Sequence, residues 1–173
     1  MSCNTLQDAL SSELILNARD FDTLKQLVYN GANINYQSEE GWCLLFELIS
    51  LELSAEIRYF AYKEMDIHLK DSKGRTALFW AIHHNYPTVV KTLIEIGYNP
   101  KEYITPELPA LHYAVYKNDA DIVNTLLEGG VDIESKDKHQ ITALGYAHIY
   151  KKEEMIKLLS HKGASTANLV DIL

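Results

Sequence analysis

The 173-residue sequence has only two cysteines, Cys3 and Cys43, and no long hydrophobic run. The cysteines do not form a Cys-x-x-Cys motif, so neither a disulfide framework nor a redox role is expected. No apolar stretch approaches the roughly 18 to 20 residues that a membrane-spanning helix needs. The first residues have neither the basic region nor the apolar core of a signal peptide. We therefore expect a cytoplasmic protein that does not insert into a membrane.

Catalytic and metal-binding motifs are also missing. The sequence has no glycine-rich phosphate loop, no nucleophile elbow and no His-Glu-x-x-His motif. His83 and His84 are adjacent, so on a helix they point about 100 degrees apart and cannot chelate one ion together. A spread of glutamates is typical of a solvated or partner-facing acidic patch: Glu39, Glu40, Glu47, Glu52 and Glu56. We predict that the protein is not an enzyme and binds no metal or cofactor.

Basic residues are outnumbered, with 16 Lys and Arg against 24 Asp and Glu, and the formal net charge is -8. A chain of this charge is poorly suited to phosphate groups, so nucleic acid is not expected as a partner. The same charge favours a basic protein as the partner. Hydrophobic residues make up 47% of the chain and charged residues 23%, which is the balance of a folded protein with a core.

An internal period of 33 residues organises nearly the whole sequence. Gly31, Gly97, Gly130 and Gly163 lie on one lattice of this spacing, and Glu64 occupies the remaining lattice point, the second of five. The same lattice aligns apolar columns, which we predict to be the inward positions of two short helices per unit. These columns are Leu45, Leu78, Leu111 and Leu144, then Leu48, Ala81, Ala114 and Ala147, and then Leu27, Phe60, Leu93, Leu126 and Leu159.

The segment 71–97 shows how one unit is built. Gly74 predicts a turn, and Thr76 is placed to cap a first helix whose apolar face includes Leu78. Pro87 suits the first turn of a second helix. Gly97 is placed to end that helix in a left-handed conformation.

These units resemble the ankyrin repeat, which opens with a Thr-Pro-Leu-His-x-Ala signature and continues through an Ile-Val-x-x-Leu-Leu helix to Gly-Ala. The matching residues are Thr76-Ala77-Leu78, Leu111-His112-Tyr113-Ala114 and the segment 122–130. The resemblance covers about residues 5–169. It implies an all-α ankyrin-repeat solenoid, a single domain over 1–173 with about five helix-turn-helix repeats and short hairpin loops. We place the units at 5–37, 38–70, 71–103, 104–136 and 137–169, followed by a short apolar tail at 170–173.

Several positions depart from the family pattern. Alanine replaces the signature proline in three units, and the signature histidine is present only as His112, for which the resemblance implies hydrogen bonding to a neighbouring turn. The second unit has Cys43 near the start of its signature and Glu64 in place of glycine. Pro106 and Pro109 are expected to reshape the hairpin of the fourth unit, because proline restricts its neighbours.

The resemblance also implies where a partner binds, namely across the hairpin tips and the first helix of each unit, on the concave side. Trp, Tyr and Arg carry interface energy most often, so Trp42, Arg75, Tyr116 and Tyr150 are the favoured anchors. Trp80 and Tyr113 are instead expected to pack between units. The full predicted partner-binding set is Trp42, Leu51, Lys73, Arg75, His83, His84, Leu108, Tyr116, Lys117, His139, Ile141 and Tyr150.

The function expected from these features is protein binding without catalysis. One hypothesis is an inhibitor or immunity protein that neutralises a basic toxin or enzyme. The alternative is a secreted effector or general adaptor that binds host or regulatory proteins. In either case we expect a monomer on its own, with a protein partner and with no nucleic acid or membrane as partner.

Overall fold

The computed structural model describes residues 3–166, with side chains described from residue 7 onwards. This part of the chain forms ten α-helices and no β-strand, and none of these helices has the length and hydrophobicity to cross a membrane. The helices are α1 (Cys3–Leu16), α2 (Phe21–Tyr29), α3 (Leu44–Ser50), α4 (Ser54–Ala61), α5 (Ala77–His83), α6 (Pro87–Glu95), α7 (Ala110–Lys117), α8 (Ala120–Glu128), α9 (Ala143–Ile149) and α10 (Glu153–His161). The predicted tail at 170–173 lies outside the described residues.

The helices form two layers. Each odd-numbered helix, here called an inner helix, contacts the even-numbered outer helix that follows it. Successive inner helices contact one another from α1 to α9, and successive outer helices do so from α4 to α10. Each pair therefore buries its apolar faces against its own partner and against the neighbouring pair. This arrangement confirms the predicted all-α repeat solenoid.

Hairpins precede the inner helices α3, α5, α7 and α9. Each hairpin is closed by one antiparallel bridge, and successive bridges are 33 positions apart: Gln37 with Cys43, Lys70 with Thr76, Tyr103 with Pro109, and Lys136 with Thr142. We number these hairpins by the unit that each begins, so the hairpin 37–43 is the second and the hairpin 70–76 is the third. The second and third hairpins approach closely at Gly41, where a Cβ atom would lie 2.7 Å from the backbone nitrogen of Ser72. Any larger residue there would push the two hairpins apart.

The prolines of the fourth unit change the tip of its hairpin but not the base. At the base, the Ile104 N–H donates to the Leu108 carbonyl at 2.9 Å, and the other three hairpins make the equivalent bond. At the tip, the Glu107 N–H donates to Thr105 Oγ1 at 3.3 Å, whereas the other hairpins close the tip with a backbone carbonyl. The expected reshaping is confined to the tip because the base is held by bonds that do not involve a proline nitrogen.

Threonine caps begin two of the inner helices. Thr76 Oγ1 accepts a hydrogen bond from the Phe79 N–H at 3.2 Å, as predicted, and Thr142 caps α9 in the same way. Cys43 and Pro109 occupy the equivalent positions before α3 and α7, and neither makes a side-chain cap. The first turns of α3 and α7 therefore lack the side-chain oxygen acceptor that threonine supplies to α5 and α9.

The outer helices end in a left-handed residue. The φ angles are +93° at Gly31, +67° at Glu64, +101° at Gly97, +85° at Gly130 and +93° at Gly163. Glycine adopts this conformation at no steric cost, whereas glutamate has a Cβ atom that disfavours it. Glu64 therefore adopts the same left-handed backbone conformation as the lattice glycines, but under strain.

The core lies between the two layers and follows the lattice columns. Leu45, Leu78, Leu111 and Leu144 are all at most 1% exposed. Cys43 is also fully buried, and burial raises the pKa of its thiol to about 11. A thiol in this environment stays protonated and packs as a small hydrophobic side chain.

Candidate protein-interaction surface

A continuous row of aromatic rings runs along the inner helices from the second unit to the fifth. In order it contains Trp42, Trp80, Phe79, Tyr113, Tyr116 and Tyr150, with successive ring centroids 4.9, 5.5, 5.1, 6.2 and 4.9 Å apart. We call this set the aromatic row. Edge-to-face and offset-stacked contacts at these separations are favourable, so the rings hold one another in place.

Trp42 is fixed at one end of the aromatic row. Its Nε1–H donates to Glu47 Oε2 at 2.9 Å, and its ring is tilted against Phe46 with centroids 5.7 Å apart. The side chain is half-buried and packs against the core. Contacts within its own unit therefore fix the position of the Trp42 side chain, so the side chain is ordered before a partner binds.

Arg75 lies over the aromatic row at the third hairpin. Its guanidinium carbon is 4.3 Å from the Trp80 ring centroid and 5.4 Å from that of Phe79. Its Nε–H donates to Asp71 Oδ2 at 2.6 Å. A buried carboxylate thus holds the cation over the rings, and the Arg75 side chain remains 28% exposed.

His83 and His84 belong to the same cluster. His83 Nδ1 shares a hydrogen bond with the Tyr113 hydroxyl at 2.9 Å, and the His84 ring stacks on Trp80 and Tyr86. Burial lowers the pKa of His83, and the neighbouring charges of Lys117, of His84 when it is protonated, and of Arg75 lower it further. Within residues 3–166 no three His, Cys, Asp or Glu side chains are grouped to hold a metal ion.

Tyr116 and Tyr150 form the exposed end of the aromatic row. They are 45% and 46% exposed and meet edge to face at an interplanar angle of 77°. The Lys152 ammonium lies 5.9 Å from the Tyr116 ring centroid. Large aromatic side chains that are ordered by their neighbours and still half open to solvent are typical binding anchors.

Four more of the predicted partner-binding residues, besides Trp42 and Arg75, lie on hairpins. Lys73 and His139 are exposed, whereas Leu108 is half-buried and packs against the core. Ile141 is half-buried, and its carbonyl accepts a hydrogen bond from His112 Nε2 at 2.8 Å. The implied structural role of His112 is therefore observed, since this bond ties the fourth unit to the fifth.

Two more predicted residues lie at the ends of inner helices. Leu51 is the C-cap residue of α3, is half-buried and packs against the core. Lys117 is the last residue of α7 and is half-buried. Part of the surface of Leu51 and of Leu108 is therefore buried against the core. Less of each side chain is accessible to a partner than we expected from the sequence.

The structure brings Trp42, Arg75, His83, His84, Tyr116 and Tyr150 together around the aromatic row, through rings that the predicted set omits. Trp80 and Tyr113 do pack between units, as expected, and they also connect the predicted anchors. Tyr146 occupies the next lattice point after Tyr113 and contacts Tyr150. Three aromatic residues in one lattice column, at 80, 113 and 146, were the signal that could have identified the row from sequence.

A second concavity lies on the outer side, between α2 and α4. This groove has a volume of about 640 Å³, and its lining includes Tyr29, Tyr59, Lys25 and Lys63. Lys25 is paired with Asp22, and Tyr29 is 90% exposed. Among the described residues, the ring contacts at this groove are confined to Phe21, Tyr59 and Phe60, with centroids 5.0 to 5.9 Å apart, whereas the aromatic row runs along four units.

The paired helices, bridged hairpins and left-handed ends define the class of this protein as an all-α repeat solenoid with an aromatic inner surface. The chain belongs to the ankyrin-repeat family, because the family pattern described as ankyrin repeats (3 copies) matches residues 13–104 and 96–169. Ankyrin repeats are protein-protein interaction modules, and the family is in general not enzymatic. The predicted family and fold class are thereby confirmed.

A curated relative is the calmodulin-binding transcription activator CBT of Oryza sativa subsp. japonica. It is 32% identical to this chain over 100 residues, which is 57% of this chain and 11% of the relative. The chain therefore spans about 11% of the length of that protein. The similarity extends to a segment of the relative and leaves the rest of that protein unmatched.

Proposed function

We propose that this chain binds a protein partner across the inner surface of units two to five, with Tyr116 and Tyr150 as the principal anchors. The observation that carries the proposal is the continuous aromatic row, whose buried and half-buried rings order the two half-exposed tyrosines. Ordered aromatic side chains lose little conformational entropy on binding, so they favour affinity. The remaining members of the predicted partner-binding set lie around this row and at the adjoining hairpins.

A narrower hypothesis is an inhibitor or immunity protein that neutralises a basic toxin or enzyme, and it rests on the net charge of -8. The alternative, an effector or general adaptor, uses the same surface with a different partner. The expected monomeric state and cytoplasmic location stay predictions of the sequence.

The test is affinity capture from extracts of the source cells with matched variants. One variant carries Tyr116→Ala and Tyr150→Ala, which removes both anchors. The control carries Tyr29→Ala and Tyr62→Ala, which removes two tyrosines that are 90% and 85% exposed on the outer side. Circular dichroism and thermal melting establish that all three proteins are folded.

The expected result is a protein retained by the parent and the control and lost from the anchor variant. Truncating two central anchors typically costs about 2 kcal/mol or more each, so the loss should exceed about tenfold in affinity. Equal retention by the anchor variant would contradict binding through the inner surface. Loss from the outer-side control alone would move the binding site to the outer side of the array, where Tyr29 lines the groove between α2 and α4.

A further inference from the structure

The charge of the inner surface differs in sign from the charge of the chain. Lys73, Lys117 and Lys152 lie at the inner surface of units three to five, and in the described part of the chain none of them has an ion-pair partner. Lys73 is exposed, and Lys117 and Lys152 are half-buried. Three unpaired cations therefore surround the aromatic row, although the net charge is -8.

The nearby carboxylates are used inside their own hairpins. Asp71 is 6% exposed and accepts hydrogen bonds from the backbone N–H groups of Lys73 and Arg75 at 2.9 and 3.0 Å, in addition to its pairing with the Arg75 side chain. Asp137 is 3% exposed and accepts from two backbone N–H groups and the Tyr146 hydroxyl, each at 2.9 Å. These two carboxylates stabilise the hairpins and present almost no negative surface to a partner.

The other carboxylates of units three to five lie mainly on the outer helices and in the loops between units, and Glu154 of α10 accepts a hydrogen bond from the Asn118 side-chain amide at 3.4 Å. Glu107 pairs with Lys138 on the next hairpin. Asp121 and Glu128 are exposed, but they belong to the outer helix α8. After burial, the charges of Lys117 and Arg75 also lower the pKa of His83, which places two cations beside this inner-helix side chain.

The positive region ends at the second unit. Glu39 and Glu40 are exposed at the tip of the second hairpin, and the Glu47 carboxylate accepts from Trp42. The inner surface is therefore acidic at one end and basic over the following three units. A charged segment of a partner would be placed in one register by this alternation.

We propose that the inner surface of units three to five binds an acidic segment of the protein partner, one that also carries aromatic or large aliphatic side chains. Carboxylates of the segment pair with Lys73, Lys117 and Lys152, and its apolar side chains lie against Tyr116 and Tyr150. Arg75, whose guanidinium carbon lies 4.3 Å from the Trp80 ring centroid, offers its remaining N–H groups to a further carboxylate. This inference rests on the proposed function and replaces the basic partner expected from the net charge with an acidic contact.

Aromatic rings beside cations also suit single-stranded nucleic acid. The overall negative charge opposes that occupant, because a nucleic acid carries charge along its whole length and would be repelled by the acidic second unit. A short acidic segment can be confined to the basic units. Nucleic acid therefore enters the test as an outcome that would overturn the proposal.

The test is a display selection with random linear peptides on the immobilised full chain, followed by affinity measurements on the selected peptides. A charge-reversal variant carries Lys73→Glu, Lys117→Glu and Lys152→Glu. Its matched control carries Lys63→Glu, Lys91→Glu and Lys157→Glu, which makes the same change of net charge at exposed outer positions. A single-stranded DNA oligonucleotide is the competitor.

We expect the selected peptides to be rich in Asp and Glu with interspersed aromatic or leucine residues. The reversal variant should bind them at least about tenfold more weakly, and the control should change affinity about twofold or less. Raising the salt concentration from about 50 mM to about 500 mM should weaken binding, since screening reduces exposed charge pairing.

The outcomes separate the two proposals. Neutral or basic peptides that still require Tyr116 and Tyr150 would overturn the acidic-segment inference and leave the proposed function standing. If the oligonucleotide displaces the peptides at a concentration below the dissociation constant of the peptides, the surface prefers nucleic acid and the inference is overturned. If no selected peptide requires Tyr116 and Tyr150, the inner surface is not the binding site and the proposed function fails as well.

Discussion

Trp42 and Trp80 meet edge to face across the boundary between the second and third units, with ring centroids 4.9 Å apart and an interplanar angle of 84°. Trp80 also carries the Arg75 guanidinium on its ring. Trp42 is anchored to its own unit by the bond to Glu47. The pair therefore joins the most divergent unit of the array to the third unit and begins the aromatic row.

The contact between these tryptophans should appear as a coupling energy. Trp42→Ala, Trp80→Ala and the double variant are compared by urea denaturation followed by circular dichroism. We expect a coupling of about 0.5 to 1.5 kcal/mol, which is typical of aromatic pairs. Tyr62→Ala, at a side chain 85% exposed, serves as the control and should change stability by less than about 0.5 kcal/mol. Strict additivity of the two tryptophan variants would contradict the contact.

Replacing Glu64 with glycine should stabilise the protein. Glu64 has a φ angle of +67°, where the equivalent residues of the other units are glycines. Removing its Cβ atom relieves a left-handed strain of about 1 kcal/mol, although glycine adds entropy to the unfolded chain. We expect Glu64→Gly to raise the free energy of unfolding by up to about 1 kcal/mol, measured by urea denaturation.

Gly97→Ala is the matched control for Glu64→Gly. A Cβ atom at Gly97 meets nothing within 4 Å, so any loss of stability reports the φ angle of +101° and not a clash. We expect a loss of about 1 kcal/mol. If Glu64→Gly destabilises the protein while Gly97→Ala is neutral, the left-handed backbone conformation does not determine which residue is more stable at these positions.

Replacing Pro109 with threonine should restore the start of α7. In the third unit, Thr76 caps its helix and its N–H donates to the Ile104 carbonyl at 3.1 Å, which links two hairpins. Pro109 has no N–H and no hydroxyl, so it makes neither bond. A cap contributes about 1 kcal/mol, and loss of proline from the unfolded chain offsets part of it. We expect a gain of about 0.5 to 1 kcal/mol in chemical denaturation.

Thr76→Ala provides the complementary measurement. It removes the cap at the equivalent position while keeping the N–H, so it should cost about 1 kcal/mol. A Pro109→Thr variant less stable than the parent would show that the rigidity of the proline ring stabilises the protein more than the two bonds do. A stabilised Thr76→Ala variant would show that the cap does not stabilise the inner helix.

Stability should fall in mildly acidic solution because of His112. Its side chain is fully buried, and burial lowers its pKa below the ordinary value of 6.5. The unfolded chain then takes up this proton more readily than the folded chain, so the free energy of unfolding falls as the pH drops below about 6.5. The slope is at most about 1.4 kcal/mol per pH unit for one such group.

His112→Gln isolates this contribution. Glutamine can still donate to the Ile141 carbonyl, which His112 Nε2 reaches at 2.8 Å, but it does not titrate. Denaturation curves at pH 7.5 and pH 5.5, values about one unit either side of the ordinary pKa, should differ less for the variant than for the parent. An unchanged difference would assign the pH dependence to other groups, such as His83.

Most of the fold could be predicted from the sequence because its signals are local and repeated. Turn glycines, the Thr76 cap and the leucine columns each require a particular residue type at a particular backbone position, and they recur every 33 residues. A substitution such as Glu64 did not hide the period, because the neighbouring units supply the missing signal. The candidate surface was harder to predict, since lattice position says which side chains face inward but not which rings touch.

The sequence by itself determined the repeat, the helix pairs and the side of the array that carries Tyr116 and Tyr150. Tertiary structure alone decided that Trp80 and Tyr113 link these residues to Trp42, because that contact depends on how neighbouring units pack. It also decided the sign of charge at the inner surface. The formal net charge counts Asp71 and Asp137 like any other carboxylate. In the folded hairpins both carboxylates are buried and accept hydrogen bonds. The ammonium groups of Lys73, Lys117 and Lys152 are therefore available to pair with a partner.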